Sequence, residues 1–221
     1  MGQKTHPKGF RLGVTETWDS TWYADKDRYG SYLIEDIKIR KYLEKELFTA
    51  QCSRIEINRY VGKIIINCYV VRLGIAVGKQ GARREELRRH LIKKVVRSAK
   101  DVHLDFYEET KPDLAAEVVM GNVITQIEKR INFRRVLRQT MKRCLQAGAK
   151  GVKLMVAGRL NGAEMSRTEW YRRGRIPLHT MRAKIDYASG MARTIYGAIG
   201  VKVWIYTGDV IPRRSKVEGA E

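Results

Sequence analysis

Two glycines flank two polar residues in a segment whose composition and spacing are suited to ligand binding. Gly78 and Gly81 enclose Lys79 and Gln80. Because glycine lacks a Cβ atom and tolerates left-handed conformations, such a loop turns tightly and lets a sugar-phosphate backbone approach the main chain. The helix predicted after the loop would point unpaired N–H groups and its positive dipole end at a phosphate. The candidate phosphate-binding residues are Gly78, Lys79, Gln80, Gly81, Arg83 and Arg84.

The elements predicted around this loop make the signal specific, since two glycines three residues apart are common by chance. A short helical segment precedes the loop. Hydrophobic periodicity predicts helices over 34–48 and from 82 to about 98, and strands over 53–59, 63–71 and 101–107. The resulting order, α-β-β-α-α-β, fits a KH module, which clamps four backbone nucleotides with such a loop. The alternative is a helix C-cap and turn that binds no ligand.

A second cationic pattern lies in residues 132–146. This segment and residues 113–130 predict two helices, or one broken helix. Arg134, Arg138 and Lys142 are four residues apart and share one face, with Arg135 beside them. Residues 129–163 contain ten basic side chains and no acidic one. Like charges at this spacing repel by tenths of a kcal/mol each. We therefore expect an external polyanion here rather than a merely solvated face.

The remaining C-terminal residues predict an α+β layer. Strands are expected over 151–159, 163–171, 183–196 and 201–206, with a hairpin turn at Asn161-Gly162. Trp170 and Tyr171 lie next to a cluster of arginines, a mixture suited to base stacking and phosphate contact. A solvated loop explains the same residues equally well. The arginines of this cluster are Arg172, Arg173 and Arg175.

Charge is the strongest feature of the composition. The 221 residues include 44 Lys and Arg against 24 Asp and Glu, a net charge of +20. Residues 1–38 are neutral, whereas residues 39–107 carry +9 and residues 108–221 carry +11. The charge thus lies on patterned segments that should fold, and a folded basic surface indicates a polyanionic partner, nucleic acid above all.

Several functional classes are excluded by what the sequence lacks. It has no apolar run long enough to span a membrane and no apolar N-terminal run typical of a secretory signal. Its three cysteines form no Cys-x-x-Cys pair, which argues against a metal site and favours a reducing compartment. Residues 74–81 match neither a P-loop nor Gly-x-Gly-x-x-Gly. No carboxylate cluster or nucleophile–base pair is present, so we expect no catalytic residue, metal or cofactor.

The chain resembles the bacterial family of small-subunit ribosomal protein three over nearly its whole length. The motifs that carry the resemblance are Met1-Gly2-Gln3-Lys4-Thr5-His6-Pro7, the Gly78–Gly81 loop, Phe133-Arg134-Arg135, Gly158-Arg159-Leu160-Asn161-Gly162-Ala163-Glu164, Arg167-Thr168-Glu169-Trp170-Tyr171 and Gly200-Val201-Lys202-Val203-Trp204-Ile205. Two positions depart from the family pattern. Leu73 stands where the family usually has Pro, and Arg138 where it often has Lys.

The resemblance implies a type II KH domain followed by an α+β C-terminal domain, in a non-enzymatic protein of the cytoplasmic small ribosomal subunit. We expect an N-terminal docking extension over 1–38, the KH domain over 39–107, the C-terminal domain over 108–210 and a tail over 211–221. The implied partners are small-subunit rRNA, mRNA and small-subunit ribosomal proteins ten and fourteen, with no membrane and no homo-oligomer.

The resemblance also assigns roles to particular basic residues. It implies that Arg134, Arg135 and Arg138 line the tunnel through which mRNA enters, where they help to grip and unwind it. Other candidates for rRNA contact are Lys4, Lys8, Arg11, Arg72, Lys142, Arg143, Arg159, Arg172, Arg173 and Arg175. A free-standing KH regulator of mRNA is the main alternative function, which the neutral, aromatic N-terminal segment argues against. A nuclease or helicase is the other alternative.

Overall fold

The computed structural model describes residues 4–96 and 101–210, so the predicted tail over 211–221 lies outside the described residues. The α-helices in these ranges are α1 (Pro7–Arg11), α2 (Lys26–Glu46), α3 (Leu73–Val77), α4 (Ala82–His90), α5 (Ala116–Glu128) and α6 (Phe133–Gln146). The strands are β1 (Ser20–Thr21), β2 (Cys52–Tyr60), β3 (Lys63–Val70), β4 (Asp101–Glu108), β5 (Gly151–Gly158), β6 (Arg167–Gly174), β7 (Ala183–Thr194) and β8 (Gly197–Asp209).

The first sheet has the strand order β1-β2-β3-β4. Strands β2 and β3 form an antiparallel hairpin, and α3 and α4 cross over to place β4 parallel to β3. Alternate β3 residues are buried, beginning with Ile64 and Ile66, and α2 covers them with Ile39, Leu43 and Leu47. Because only one face of each strand is buried, apolar and polar residues alternate along the sequence, and this alternation predicted the strands. The expected α-β-β-α-α-β order of a KH domain is confirmed.

The second sheet is antiparallel, with the order β6-β5-β8-β7. One face is covered by α5 and α6, and the core between them includes Val123 and Leu137 from the helices and Leu154 and Val203 from the strands. Burying the apolar side chains of both layers removes their surface from water, the main favourable contribution to folding. The predicted α+β C-terminal domain is confirmed.

Several predicted element boundaries were wrong, including those of β6, predicted over 163–171, and of β8, predicted over 201–206. Three further differences concern the start of α2, the end of α4 and the turn after β5. Helix α2 begins at Lys26 rather than residue 34, because its first two turns are exposed and carry no burial pattern. It therefore continues through residue 38, where the first domain limit was placed. The helix after the glycine loop is α-helical only to His90, and a π-helical turn follows over Leu91–Val95.

The third error concerns the predicted hairpin turn at Asn161-Gly162. Strand β5 ends at Gly158 and β6 begins at Arg167, so the connection is longer than a two-residue turn. Leu160 is 1% exposed and packs into the core, which draws the chain inward into a 3-10 turn over Leu160–Gly162. Asn161 and Gly162 do adopt left-handed conformations, with φ of 55° and 80°.

The N-terminal segment joins the two sheets. Strand β1 pairs with β2 in parallel, with Ser20 opposite Ile57. Ahead of it, α1 packs against β7, and Arg11 donates from Nε to the carbonyl of Ala183 at 2.6 Å. A direct contact between the two halves is the hydrogen bond from Gln51 Nε2 to Asn122 Oδ1, 2.7 Å long. Residues 4–21 therefore act as a strap across both halves.

None of the helices that the structure describes combines the length and apolar character needed to cross a membrane. Within residues 4–96 and 101–210, no cluster of three or more His, Cys, Asp or Glu side chains is arranged to hold a metal ion. The three cysteines are free thiols, of which Cys68 and Cys144 are buried. Burial raises the pKa of Cys52 and of Cys144 to about 12, so neither is a reactive thiolate near neutral pH.

Candidate nucleic-acid interface

The glycine loop between α3 and α4 has a backbone that its sequence dictates. Gly78 has φ of 75° and Gly81 has φ of 79°, both in the left-handed region that glycine tolerates without steric cost. A Cβ atom on Gly78 would lie 2.8 Å from Cβ of Arg83, whereas one on Gly81 would meet nothing within 4 Å. Gly78 is therefore required by packing and conformation together, and Gly81 by conformation alone.

The two residues between the glycines face solvent, as a phosphate-binding loop requires. Lys79 and Gln80 are both exposed. Gln80 has φ of 51°, an uncommon conformation for a non-glycine residue, so it turns the chain at the tip. No ion pair involves Lys79 within the part of the chain that the structure describes. Its ammonium group is thus available to an external anion.

Arg83 and Arg84, predicted to add charge beside the loop, also hold α4 in place. Arg83 donates from Nη2 to the main-chain carbonyl of Glu46 at 2.9 Å, which fixes α4 to the end of α2. Arg84 pairs with Asp105 on β4, at 3.3 Å from Nη2 to Oδ1. Both side chains are half-buried. Their contacts support a structural role, and Lys79 is the more accessible cation.

A cleft that sequence analysis did not predict lies between α2 and α4. It has a volume of about 640 Å³, and its lining includes Lys79, Arg83, Glu86 and two stacked rings. The rings of Tyr42 and His90 lie 4.3 Å apart with an interplanar angle of 12°. The two residues are far apart in the sequence, so no local pattern could have revealed the stack.

Helix α6 presents a cationic face because its opposite face is anchored. Its first turn is capped by Asn132, whose Oδ1 accepts a hydrogen bond from the amide of Arg134 at 3.0 Å. The buried side is made by Phe133, Val136, Leu137, Thr140 and Cys144. Ile131 precedes the helix and is 40% exposed, so it takes no part in the buried side. The predicted cations all lie on the exposed side: Arg134, Arg135, Arg138, Lys142 and Arg143.

One of these arginines is oriented by a neighbour that sequence reasoning missed. Arg134 Nη2 lies 3.3 Å from Glu169 Oε1 on β6, and the hydrogen bond raises the pKa of the guanidinium further. Glu169 also pairs with Arg167 at 3.1 Å. The absence of acidic residues over 129–163 does not reveal this carboxylate, which follows later in the chain. Arg135 and Arg138 form no ion pair within residues 4–96 and 101–210.

The remaining predicted rRNA-contact residues fall into two groups, those whose side chains already bind a group in the protein and those that are exposed. Lys8 is paired with Asp186 at 3.4 Å, and Arg159 donates from Nε to the carbonyl of Ala163 at 2.9 Å. The other basic candidates, apart from Arg11, are exposed and available to an external anion. They are Lys4, Arg72, Lys142, Arg143, Arg172, Arg173 and Arg175.

Arg11 is a correction, since the structure removes it from the candidate surface. It is 0% exposed, and its guanidinium donates to the carbonyls of Ala183, Pro7, Leu178 and Thr180 at 2.6–3.1 Å. Burial lowers its pKa, although an arginine stays charged at any physiological pH. A side chain with every donor group in use inside the protein cannot contact rRNA.

Two family models match this chain. The model described as "KH domain" matches residues 38–114, and the model described as "Ribosomal protein S3, C-terminal domain" matches residues 123–205. The two matched ranges correspond to the first sheet with its helices and to the second sheet with α5 and α6.

Curated relatives match over nearly the full length. Small ribosomal subunit protein uS3 of Desulforamulus reducens is 48% identical over 216 residues, which cover 98% of this chain and 96% of the relative. The uS3 protein of Geobacter sulfurreducens is 50% identical over 212 residues, covering 96% and 99%. That of a Sulfurovum species is 48% identical over 221 residues, covering 100% and 94%.

Proposed function

This chain belongs to the small ribosomal subunit protein uS3 family, and on that premise we propose that the arginines of α6 grip mRNA as it enters the subunit. Membership makes the chain a structural, RNA-binding protein of the small subunit in the cytoplasmic ribosome, with rRNA as a ligand and no enzymatic activity of its own. Contact with mRNA is the finer function, and it depends on α6.

The observation that supports mRNA contact is the two-sided character of α6. Its apolar side is held in the core by Phe133 and Leu137, so the helix cannot roll or shift without exposing buried surface. Its other side carries Arg134, Arg135 and Arg138 into solvent. The rigid helix holds the backbone of the three arginines at a fixed spacing, and each phosphate contact that they make releases condensed counterions.

Unwinding of structured mRNA follows from the same fixed charges. Cations on a rigid helix can hold the phosphates of separated strands, while movement of the ribosome supplies the work. The guanidinium of Arg134 is held at 3.3 Å from Glu169, which limits the positions it can take. Arg135 and Arg138 would supply the flexible contacts beside it.

Binding to rRNA is expected at the glycine loop and at the exposed basic residues of both domains. The loop brings Lys79 and the main chain of Gly78 and Gly81 close to any phosphate that approaches it. The positive dipole end of α4 adds to this site. A phosphate held there would contact backbone more than side chain.

Protein partners are expected on the N-terminal part of the chain, where residues 1–38 carry no net charge and expose several large apolar side chains. Tyr23 is 89% exposed, and Tyr29, Ile34 and Ile37 of α2 are 52%, 54% and 45% exposed. A neutral patch of this kind favours another protein over RNA. Small-subunit ribosomal proteins ten and fourteen are the partners implied by the family resemblance.

The mRNA role can be tested with ribosomes that carry Arg134→Ala, Arg135→Ala and Arg138→Ala together. Exposed substitutions usually change stability by about 0.5 kcal/mol or less, so the subunit should assemble. We expect slower translation through a message with a stable hairpin and a normal rate on an unstructured message. Translation rate on the two messages, normalised to subunit yield, is the measurement.

The matched control removes three exposed cations from another helix, with Lys38→Ala, Lys41→Ala and Lys45→Ala on α2. These ribosomes should translate both messages at the same rate as the wild type. If the α6 variant slows equally on both messages, its arginines contact rRNA or assist assembly instead. If both variants slow on the hairpin alone, net charge rather than α6 is responsible.

A further inference from the structure

The outer face of the second sheet, opposite the face covered by α5 and α6, holds a half-buried lysine between two tryptophans. Lys153 on β5 lies opposite Arg172 on β6 and opposite Trp204 on β8. Trp170 is two residues before Arg172 on the same strand, so both point to this face. Lys153 Nζ lies 5.4 Å from the ring centroid of Trp170 and 4.8 Å from that of Trp204. The two indoles therefore hold the amine against the sheet.

The amine of Lys153 has cations beside it and no carboxylate partner. No Asp or Glu forms an ion pair with Lys153 within residues 4–96 and 101–210. The pKa of Lys153 is lowered to about 8, first by burial and then by the positive charges of Lys4 and Arg172. Lys4 and Arg172 are themselves exposed. The protonated form of Lys153 is thus disfavoured by both its burial and its neighbours.

Other titratable groups on this face do not offset that effect. Tyr187 on β7 packs against Trp204, with ring centroids 5.3 Å apart, and His6 packs edge-on against Tyr187 at 4.8 Å. Lys202 is two residues before Trp204 on β8, so it points to the same face and is exposed. None of these three groups is among those that shift the pKa of Lys153.

These surroundings make the amine of Lys153 a nucleophile near neutral pH. Desolvation and an adjacent cation are the two means by which proteins activate a lysine. With a pKa of about 8, roughly a tenth of the amine is neutral at pH 7, against fewer than about one in a thousand for an ordinary lysine. Lys4 and Arg172 offer their charges to an anion beside it. A reagent that combines a phosphate with an electrophilic carbon fits both features.

We propose that Lys153 of the free chain is a covalent modification site, acylated by small acyl phosphates whose phosphate group is held by Lys4 and Arg172. The neutral Nζ attacks the carbonyl carbon and forms a C–N bond. The bond from that carbon to the phosphate oxygen breaks, and inorganic phosphate leaves with the electron pair. The nitrogen then loses a proton to water, so the step needs no oxidant or reductant. The product is a neutral amide, which removes one of three mutually repelling cations.

The experiment incubates the full-length chain with acetyl phosphate at a series of pH values and follows the acetylation of each lysine by peptide mass spectrometry. Lys202 is the internal control, because it is exposed on the same face of the sheet. We expect Lys153 to react at least about tenfold faster than Lys202 at pH 7. The rate at Lys153 should level off above pH 8, where its amine is mostly neutral.

Variants test the two cations that would hold the phosphate. Lys4→Gln and Arg172→Gln should each slow the acetylation of Lys153 severalfold, because each removes a phosphate contact and lets the lysine retain its proton more readily. Lys184→Gln is the charge control, since Lys184 is exposed on β7 and is not among the groups that act on Lys153. It should leave the rate unchanged. Circular dichroism checks the fold of every variant.

A second acyl donor without a phosphate, acetic anhydride, separates the activated amine from the phosphate contact. The rate at Lys153 should saturate with acetyl phosphate and fall when inorganic phosphate is added, whereas the reaction with acetic anhydride should show neither effect. Equal rates at Lys153 and Lys202 with both donors would overturn the proposal. Fast reaction with acetic anhydride, but no saturation or phosphate competition with acetyl phosphate, would refute acyl phosphates as the substrate class.

Discussion

At the scale of single residues, the basic side chains of this protein do two different kinds of work. Arg11, Arg83 and Arg84 donate to groups inside the protein, whereas Lys79 and Arg138 are exposed. The sequence shows all five as equivalent cations. A structural arginine differs from a binding arginine because its guanidinium lies close in space to a carbonyl or carboxylate that is remote in the sequence.

The glycine loop gives a residue-scale prediction, because its tip is exposed and its fold is set by the glycines. Lys79→Asp with Gln80→Asp should weaken RNA binding by an order of magnitude or more and leave thermal stability nearly unchanged. Aspartate tolerates the left-handed conformation of residue 80. RNA affinity and thermal unfolding are measured on the same protein.

The control for this variant is Lys111→Asp with Thr110→Asp, two exposed residues away from the loop, which makes the same change in charge. It should reduce RNA affinity much less. A large loss of stability with unchanged RNA affinity would instead show that the loop is a helix cap and turn without a ligand.

Lys153 gives a pH-dependent prediction. Its pKa in the folded protein is lowered to about 8, so the unfolded chain binds more protons than the folded chain above that pH. The lysine therefore costs stability at pH 7, and this cost disappears as the pH rises through 8 towards 10. Lys153→Met should be more stable than the wild type at pH 7.

The check is a series of urea unfolding curves for both proteins between pH 6 and about pH 10. The stability difference between Lys153→Met and the wild type should shrink across the upper part of that range. Lys4 and Arg172 are the charged groups that lower the pKa of this lysine. A difference that stays constant with pH would contradict the lowered pKa.

At the scale of elements, the sequence predicts best where one side of an element is buried. Strand β3 alternates because every second side chain faces the core, and its limits were predicted to within one residue. The first half of α2 is exposed on most sides, so its sequence has no hydrophobic periodicity that would mark the start of the helix. The residues that follow Leu160 have the composition of a hairpin turn. The burial of Leu160 in the core nevertheless determines the conformation of the chain there.

The α3–loop–α4 element gives a prediction that compares its two glycines. Gly78→Ala places a Cβ 2.8 Å from Cβ of Arg83 in a left-handed backbone, so Arg83 must shift and its hydrogen bond to Glu46 is strained. Gly81→Ala adds only the conformational cost, about 1 kcal/mol. Gly78→Ala should cost roughly 1–3 kcal/mol more than that.

Both variants are compared by chemical denaturation. Equal losses at the two positions would show that the contact with Arg83 does not constrain the loop. Because the loop leads directly into α4, we also expect Gly78→Ala to reduce RNA affinity more than Gly81→Ala does.

At the scale of the whole molecule, the two halves are predictable separately and their connection is not. Each sheet arises from patterns within about a hundred residues, and the KH order could be deduced from them. The contact of Arg11 with Ala183 joins residues 172 positions apart and has no local signature. The same is true of Arg134 with Glu169 and of Lys153 between two tryptophans, which is why the candidate surfaces were only partly predicted.

The strap formed by residues 4–21 gives the last prediction, since β1 is held by the first sheet and α1 by the second. Arg11→Met removes the arginine donor from the buried carbonyl of Ala183 and from the half-buried carbonyl of Leu178, which should cost about 3 kcal/mol. The loss falls on the C-terminal half, because those carbonyls belong to β7 and the segment before it. Hydrogen exchange should therefore accelerate in β7 and much less in β3.

The control is Arg28→Met, which replaces an exposed arginine of α2 and should leave hydrogen exchange in both strands unchanged. Equal acceleration in β3 and β7 would mean that the two halves unfold as one unit despite their separate cores.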